Sequence, residues 1–392
     1  MNIDSTYNIL MLSAWYPTDK NPFLGIFVRR HAEAIALKHN VFLLHVTVDD
    51  KMKEKEFRIQ KKQTGKLTEV IVYYGKSSTK TNFFSRLKNY KLLKKHYNFG
   101  LNKYLESDIK FDVLHLNMAW PLGLISKSIS QKLKIPVVLT EHWTGYLPKD
   151  GRYRGTFLKY VTKKIVKKAK AITTVSTQLG QQMISLGLKG NFTTISNVVD
   201  TNLFDYRKRD SNKITLLHVS SLDDAQKNVS GLLRAFQKVK KKHAELELIV
   251  VGSGSNEQII KRLSNELGLT TRGVTFVGHK SESELVTYFN QSNALILTSL
   301  FENQPVVMLE ALCCGIPVIS SNVGGISENI TTENGILFQP NNETELINAL
   351  ELFIKTKDNF NSSAIRKAAI ARYSKNNIAS EFDAIYQSIL KK

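Results

Sequence analysis

The chain has only two cysteines, and they are neighbours, Cys313 and Cys314. Adjacent cysteines in a helical stretch cannot reach disulfide geometry without distortion. That excludes a disulfide scaffold and leaves two buried thiols, as expected of a reducing cytoplasm. No Cys/His cluster has the spacing of a zinc site. Runs of 18 or more apolar residues are absent, which argues against a spanning helix. The opening MNIDSTYNILMLSAWYP has no basic segment before its apolar part and no small-residue cleavage site, so it predicts a first strand rather than a secretion signal. Gly252-Ser253-Gly254 has Glu257 where a dinucleotide fingerprint would place its third glycine, so it reads as a tight strand–helix turn. Acidic residues are scarce in the first half. Residues 1–200 hold 33 Lys and Arg against 14 Asp and Glu, a difference of +19; the remainder holds 22 against 20, a difference of +2. An anionic partner is expected for that half: a membrane surface, a phosphorylated acceptor or nucleic acid.

What is present is an alternation of apolar strands and amphipathic helices, which runs twice. The 392 residues suggest two domains. In the first half, strands are expected at Tyr7 to Leu12, Val41 to Val46, Val70 to Tyr74, Val113 to Leu116, Val137 to Thr140, Ala171 to Val175 and Phe192 to Ile195. Lys51 to Lys66 is charged and predicts a loop or bent strand. Asn82 to Leu105 predicts a basic amphipathic helix or helix pair, and Phe157 to Lys170 a second basic helix. The alternation breaks near residue 205, at the polar stretch Tyr206 to Lys213. It resumes with strands at Ile214 to Val219, Leu246 to Val251, Val274 to Val277 and Ala294 to Leu297. Glu343 to Lys355 and Ile365 to Leu390 predict the last helices. The fold class is α/β, with two Rossmann-like domains.

The stretch from Ser299 to Glu310, SLFENQPVVMLE, organises the second half. It reads as a strand end, a loop and a helix start, with Pro305 in the first turn where its missing N–H costs nothing. The free N–H groups and dipole of such a helix suit a phosphate. Glu302 stands on the loop and Glu310 lies within the helix, seven residues between them. Carboxylates in these places can accept hydrogen bonds from sugar hydroxyls, as an acidic residue does for a ribose.

The run SLFENQPVVMLEALCCGIPVISSNVGGISENI resembles the donor-site signature of the retaining glycosyltransferases of family 4. It has two glutamates with seven residues between them, then a helix, Gly315-Ile316-Pro317-Val318, the Gly324-Gly325 turn and Glu328. The resemblance implies the GT-B architecture. Residues 1–204 would be the acceptor-binding domain and 205–375 the donor-binding domain, with a terminal helix, about 376–392, packing back on the first. It implies catalytic roles for His142, Glu302 and Lys227. Donor contacts would come from Gly25, Ser221, Lys227, Gly252, Gly278, Glu302, Asn303, Gln304, Pro305, Val306 and Glu310. Asn197 and Asp200 fit the family's interdomain segment. Lys227 matches a family lysine that neutralises the donor diphosphate, but Ser221 stands where the family carries an arginine.

The chain has no Asp-x-Asp, the pattern by which transferases of the other major fold hold a cation. No metal and no cofactor are therefore expected, the nucleotide-diphosphate sugar being a co-substrate. The implied reaction moves a sugar to a glycan or lipid-linked acceptor, in the cytoplasm at the inner membrane face. A nucleotide-sugar epimerase or a phosphorylase on the same fold is the near alternative. A basic nucleic-acid-binding protein is the distant one, and the sequence offers it no helix-turn-helix, RNP pattern or zinc module.

Overall fold

The computed structural model describes residues 6–76, 82–205 and 213–390. The expected linker at Tyr206 to Lys213 lies almost wholly outside them. Two sheets organise the chain. The first contains β1 (Asn8–Ser13), β2 (Asn40–Val48), β3 (Phe57–Thr64), β4 (Leu67–Tyr74), β5 (Val113–Asn117), β6 (Val137–Glu141), β7 (Ala171–Thr174) and β8 (Phe192–Thr194), in the order β3-β4-β2-β1-β5-β6-β7-β8. Only β3 runs antiparallel to its neighbour. The second contains β9 (Ile214–Val219), β10 (Leu246–Val251), β11 (Val274–Gly278), β12 (Ala294–Leu297), β13 (Val318–Ser321) and β14 (Gly335–Phe338), all parallel, in the order β11-β10-β9-β12-β13-β14.

Helices cover both faces of each sheet, so the central strands are apolar throughout and read as continuous runs. Helices α1 (Ile26–Ile35), α2 (Phe83–Leu105), α3 (Gly123–Leu133), α4 (Thr156–Lys168) and α5 (Thr177–Ser185) belong to the first sheet. Around the second lie α6 (Asp224–Lys227), α7 (Val229–Lys240), α8 (Glu257–Glu266), α9 (Glu282–Gln291), α10 (Val306–Cys313) and α11 (Glu343–Thr356), then α12 (Ser362–Tyr373) and α13 (Lys375–Leu390). Helix α13 crosses to the first domain. Its Ile378, Phe382 and Tyr386 are fully buried in one core with Val28, Ala32 and Ile35 of α1 and Ile9 and Met11 of β1. The second sheet keeps its own core, built on Leu216, Phe236, Leu248 and Ile296.

Three local expectations change. The charged stretch after residue 51 contains a full edge strand, β3, exposed along most of its length. An edge strand exposed on both faces carries no hydrophobic alternation, so its sequence shows no period. Asn82 to Leu105 is one helix, capped by the Asn82 side chain on the Ser85 N–H. The last helical stretch is two helices, broken at Ser374, where the chain makes an isolated bridge to Val199.

Candidate active site

In open α/β sheets a crevice forms outside the carboxyl ends of the strands where the strand order reverses. The first sheet reverses at β1 and β5, and the second at β9 and β12. The loops that leave these four strands, with that after β6, contain most of the expected site residues. The two crevices meet. The Asn303 side chain donates to the His142 carbonyl oxygen at 2.7 Å, and the Phe23 and His279 rings lie 3.9 Å apart across the cleft.

At the centre, the Lys227 ammonium donates to Oε1 of Glu302. Lys227 ends α6, beyond β9, and Glu302 follows β12. Backbone bonds lock the two loops together: Leu300 N–H donates to Gln226 O at 2.7 Å and Thr298 Oγ1 to Lys227 O at 2.8 Å. Ser299 Oγ adds a bond to Glu302 at 3.1 Å. Glu302 is only 7% exposed. The Gly324-Gly325 turn supports it from beneath. Gly324 sits at φ 55°, and a Cβ there would collide with the Glu302 carbonyl oxygen.

Glu310, in the middle of α10, is also buried, and Arg30 of α1 reaches it across the domain seam at 2.6 Å. Arg30 bonds Glu282 as well, and its Nη1 donates to Val198 O at 3.3 Å. Burial works against charge on Arg30, but the carboxylates of Glu310 and Glu282 outweigh it and hold the guanidinium protonated. Burial pushes the Glu310 carboxyl up, and Arg30 opposes that shift. Glu310 therefore faces an arginine of the other domain.

Pro305 caps α10 in extended conformation, and Val306 is the first helical residue. The N–H groups of Val306 and Val307 head a helix whose first turn has no carboxylate of its own. Gln304 is placed differently from the sequence expectation. Its Oε1 accepts from Ser196 Oγ and Asn197 N–H at 2.9 and 2.8 Å, and its carbonyl accepts from the Asn197 side chain. These bonds turn Gln304 into the interdomain seam, where Asn303 also points. Local sequence cannot show this, because the partners lie more than 100 positions away.

His142 follows β6 and is 8% exposed, packed between the Phe27 ring at 4.6 Å and the His31 ring at 5.3 Å. Neither of its ring nitrogens has a partner among the described residues, and burial holds it well below the usual imidazole range. Beside it, Glu141 accepts from Ala119 N–H and Tyr146 OH at 2.7 and 2.9 Å. Burial lifts that carboxyl to about 7.

The glycines have structural reasons. Gly25 caps α1 at φ 72°, and a Cβ there would strike the Trp15 backbone. The close approach at Gly25 is to the Trp15 and Tyr16 backbone. Gly252 and Gly254 press against the carbonyls of Ser220 and Ser221, so that turn fixes the Ser221 loop. Gly278 has φ 70° and open space around it; its carbonyl accepts from Gly252 N–H at 2.8 Å. Ser221 is exposed, on the loop that leads to Lys227.

Sequence reasoning missed Arg30 and Glu282. The signal for Arg30 is its phase: it falls on the buried face of α1 with Ala34, one turn on. Glu328 has a role the sequence did not show. Its carboxylate accepts from Thr177 and Gln178 N–H, both at 2.8 Å, at the start of α5 in the other domain.

Two family models match side by side. "Glycosyltransferase Family 4" covers residues 24–203 and "Glycosyl transferases group 1" covers residues 200–372. A glycogen synthase of Mycobacterium tuberculosis is 25% identical over 285 residues, 69% of this chain and 65% of the relative, so the chain spans just under two thirds of that protein. An alpha-monoglucosyldiacylglycerol synthase of Streptococcus pneumoniae is 26% identical over 56% of this chain and 54% of its own length. Among solved structures, a sucrose-phosphate synthase from Thermosynechococcus elongatus superposes with a TM-score of 0.76 at 20% identity, covering 98% of this chain and 99% of that one. Anabaena HepE in complex with UDP gives 0.72 at 18% identity, covering 97% and 100%. The fold is that of the GT-B enzymes, and the chain belongs to the group 1 glycosyltransferases of family 4.

Proposed function

We propose that the chain transfers a sugar from a nucleotide-diphosphate sugar to a hydroxyl of a glycan or lipid-linked acceptor, with retention of configuration and without a metal. The observation that carries this reading is the Lys227–Glu302 pair at the mouth of α10, on the reversal point of the second sheet. Cleavage of the donor leaves charge on diphosphate oxygens. Donors fixed beforehand lower the barrier most where that charge develops. Lys227 and the N–H groups of Val306 and Val307 are such donors. Glu302 orients Lys227 and is placed to accept from sugar hydroxyls. Glu310 would take the ribose hydroxyls once Arg30 shares it. His142, neutral and buried, would line the sugar on the opposite wall. The similar Anabaena HepE, solved in complex with UDP and with UDP-glucose, supports a nucleotide-sugar donor.

The acceptor side is the basic first domain. Helix α4 buries Val161, Ile165 and Val166 and exposes Lys159, Lys163, Lys164, Lys167 and Lys168. Phe157 and Tyr160 of the same helix are 62% and 57% exposed, and Phe84 on α2 is 79% exposed. Lysines around exposed aromatics suit an anionic lipid surface, at about 1 kcal/mol per basic residue. A relative named for a glucosyldiacylglycerol product supports a lipid-linked acceptor. No described helix is long and apolar enough to cross a membrane. We read the enzyme as cytoplasmic and peripheral at the inner face, and we expect no nucleic acid as partner.

A thermal-shift screen of nucleotide sugars, followed by turnover of the best binder, tests the donor. A chain that no nucleotide sugar stabilises would refute this reading. Flotation with anionic liposomes at low salt tests the surface, and a protein left wholly in the soluble fraction removes the membrane from it.

A further inference from the structure

A cavity of about 700 Å³ opens at the carboxyl ends of β1, β2 and β4, and the donor-site reading leaves it unused. Its volume falls within the range of about 300–1,000 Å³ usual for small-ligand sites. One wall is the segment that joins β1 to α1, through Ala14, Asn21 and Leu24. Thr18 and Asn21 hold that segment in a turn by reciprocal backbone bonds of 3.1 Å. Phe23, next to Leu24, meets the ring of His279 in the second domain at 3.9 Å. Trp15, next to Ala14, meets Phe27 at 6.3 Å, and Phe27 lies 4.6 Å from His142. One segment of chain therefore borders both the cavity and the cleft.

Strand register builds the opposite wall. His45 of β2 pairs with Ser13 of β1, and two residues on, Thr47 of β2, Tyr73 of β4 and Arg58 of β3 are register partners. Their side chains share one face of the sheet. His45 is 2% exposed. Its Nδ1 lies 2.8 Å from the Ser13 carbonyl oxygen, which can only accept, so the proton sits on Nδ1. Nε2 is then an acceptor, and it has no partner among the described residues. Burial keeps the ring neutral, with its titration held down at about 4. Thr47 is half-buried, and its hydroxyl also has no partner among the described residues. The Arg58 guanidinium lies over the Tyr73 ring at 3.5 Å and donates to Asp19 at 3.0 Å, while Tyr73 OH donates to Gln60 at 3.0 Å. This wall is fixed before any ligand arrives.

Charge in the cavity is balanced, unlike that on α4. Arg58 is paired with Asp19, and Asp50 takes both Lys20 and, at 3.5 Å, Lys76. Asp49 and Lys51 add one charge of each sign and form no ion pair among the described residues. A phosphate would meet three carboxylates there and one cation not already paired. A sugar hydroxyl both donates and accepts. It can use carboxylate oxygens, guanidinium N–H groups and the His45 nitrogen without displacing an ion pair. We infer that this cavity binds the sugar that receives the transferred glycosyl group, and that it selects an uncharged, hydroxyl-rich ring over a phosphorylated one. His45 Nε2 and Thr47 Oγ1 are the atoms that read its hydroxyls. The inference rests on the transferase reading above and narrows its acceptor to a neutral glycan end.

The test uses the full chain with the nucleotide sugar that stabilises it best. The acceptors are the methyl glycosides of glucose, galactose, mannose and N-acetylglucosamine, each beside the 1-phosphate and the 6-phosphate of the same sugar. The variants are Thr47→Trp, which fills the cavity, and His45→Asn, which keeps a donor for the Ser13 carbonyl and removes Nε2. At least one neutral glycoside should accept the sugar, with kcat/KM at least about tenfold above both phosphates. Each variant should raise the acceptor KM by about tenfold or more, the order of one lost hydrogen bond, while donor KM and the titrated affinity for the nucleoside diphosphate stay as in wild type. A purely structural role would move both. Should His45→Asn not fold, Thr47→Trp decides alone. A phosphate used as well as its neutral glycoside overturns this inference and leaves the donor site standing. So does an unchanged acceptor KM in either folded variant, an equal rise in donor KM, or transfer to no glycoside by a chain that binds the nucleotide sugar. If no nucleotide sugar binds, the transferase reading fails and this inference with it.

Discussion

The Arg30 guanidinium of α1 and the Glu310 carboxylate of α10 meet at 2.6 Å across the domain seam, 280 positions apart in the chain. Both side chains are buried, and Glu282 shares the arginine. Removing one partner of a buried pair leaves an uncompensated charge, which costs about 3–5 kcal/mol. Arg30→Ala should therefore lower stability by several kcal/mol and strand two carboxylates. Glu310→Gln should cost less, because Glu282 still holds Arg30. Urea unfolding of the two variants checks the order. Equal, small effects would mean that the pair is solvated and the seam loose.

Lys227 and Glu302 set a different expectation, because the lysine side chain stays 17% exposed. Water can relieve part of the lost pairing. Lys227→Ala should keep the fold and weaken nucleoside diphosphate binding at least tenfold, since it removes a cation from the mouth of α10. Glu302→Gln keeps the shape and should bind the nucleotide while turnover falls about a hundredfold, the order expected when one fixed electrostatic group is lost. Titration with the diphosphate and initial rates with the donor separate the two. Full activity in both variants would move the site elsewhere.

Glu328 caps α5 from the other domain with two bonds of 2.8 Å. A carboxylate at a helix start contributes about 0.3–1 kcal/mol when exposed. Glu328→Gln should thus barely change the melting temperature, but it should shift the balance between closed and open clefts. Small-angle scattering at low salt reads this as a larger radius of gyration. An unchanged profile would show that Asn303 and Gln304 hold the seam without it.

The two-sheet plan was legible because parallel strands covered on both faces become apolar blocks, such as Ile9–Leu12 and Ala294–Leu297, separated by amphipathic helices. Glu302, Glu310 and Lys227 were legible because their spacing within one domain is fixed by a strand end and a helix start. What could not be read lies between domains. Gln304 looks like a donor contact in the linear chain, yet its bonds go to Ser196 and Asn197. Nothing near residue 30 announces Glu310. Strand β3 escaped because an exposed edge needs no apolar face.

Buried histidines give the last expectation. Burial holds His31, His45 and His218 down at about 4 and His115 at about 3, and it lowers His142 as well. In the unfolded chain each titrates near 6.5. Between about pH 6.5 and 4 the unfolded chain therefore binds protons that the fold refuses, and stability falls as pH falls through that window. Glu141 acts in the opposite sense. Its carboxyl stays protonated in the fold up to about 7, so its contribution is complete below the unfolded carboxyl range and is lost as pH rises to 7. Burial also lowers His39 and His96 and raises the Glu310 and Glu381 carboxyls, so seven imidazoles stand against three carboxyls and the histidines stay in control. Unfolding at pH 5.5 should take up more than about two protons net, measured by calorimetry in buffers of different ionisation heat. The melting temperature should fall by more than about 5 °C between pH 7 and pH 5. His218→Gln should flatten that slope from the second domain alone, because His218 packs under β12 through Ile296 O and touches neither His31 nor His142. A net release of protons on unfolding at pH 5.5 would mean that these rings are charged in the fold, and His142 could then not face the donor sugar as a neutral group.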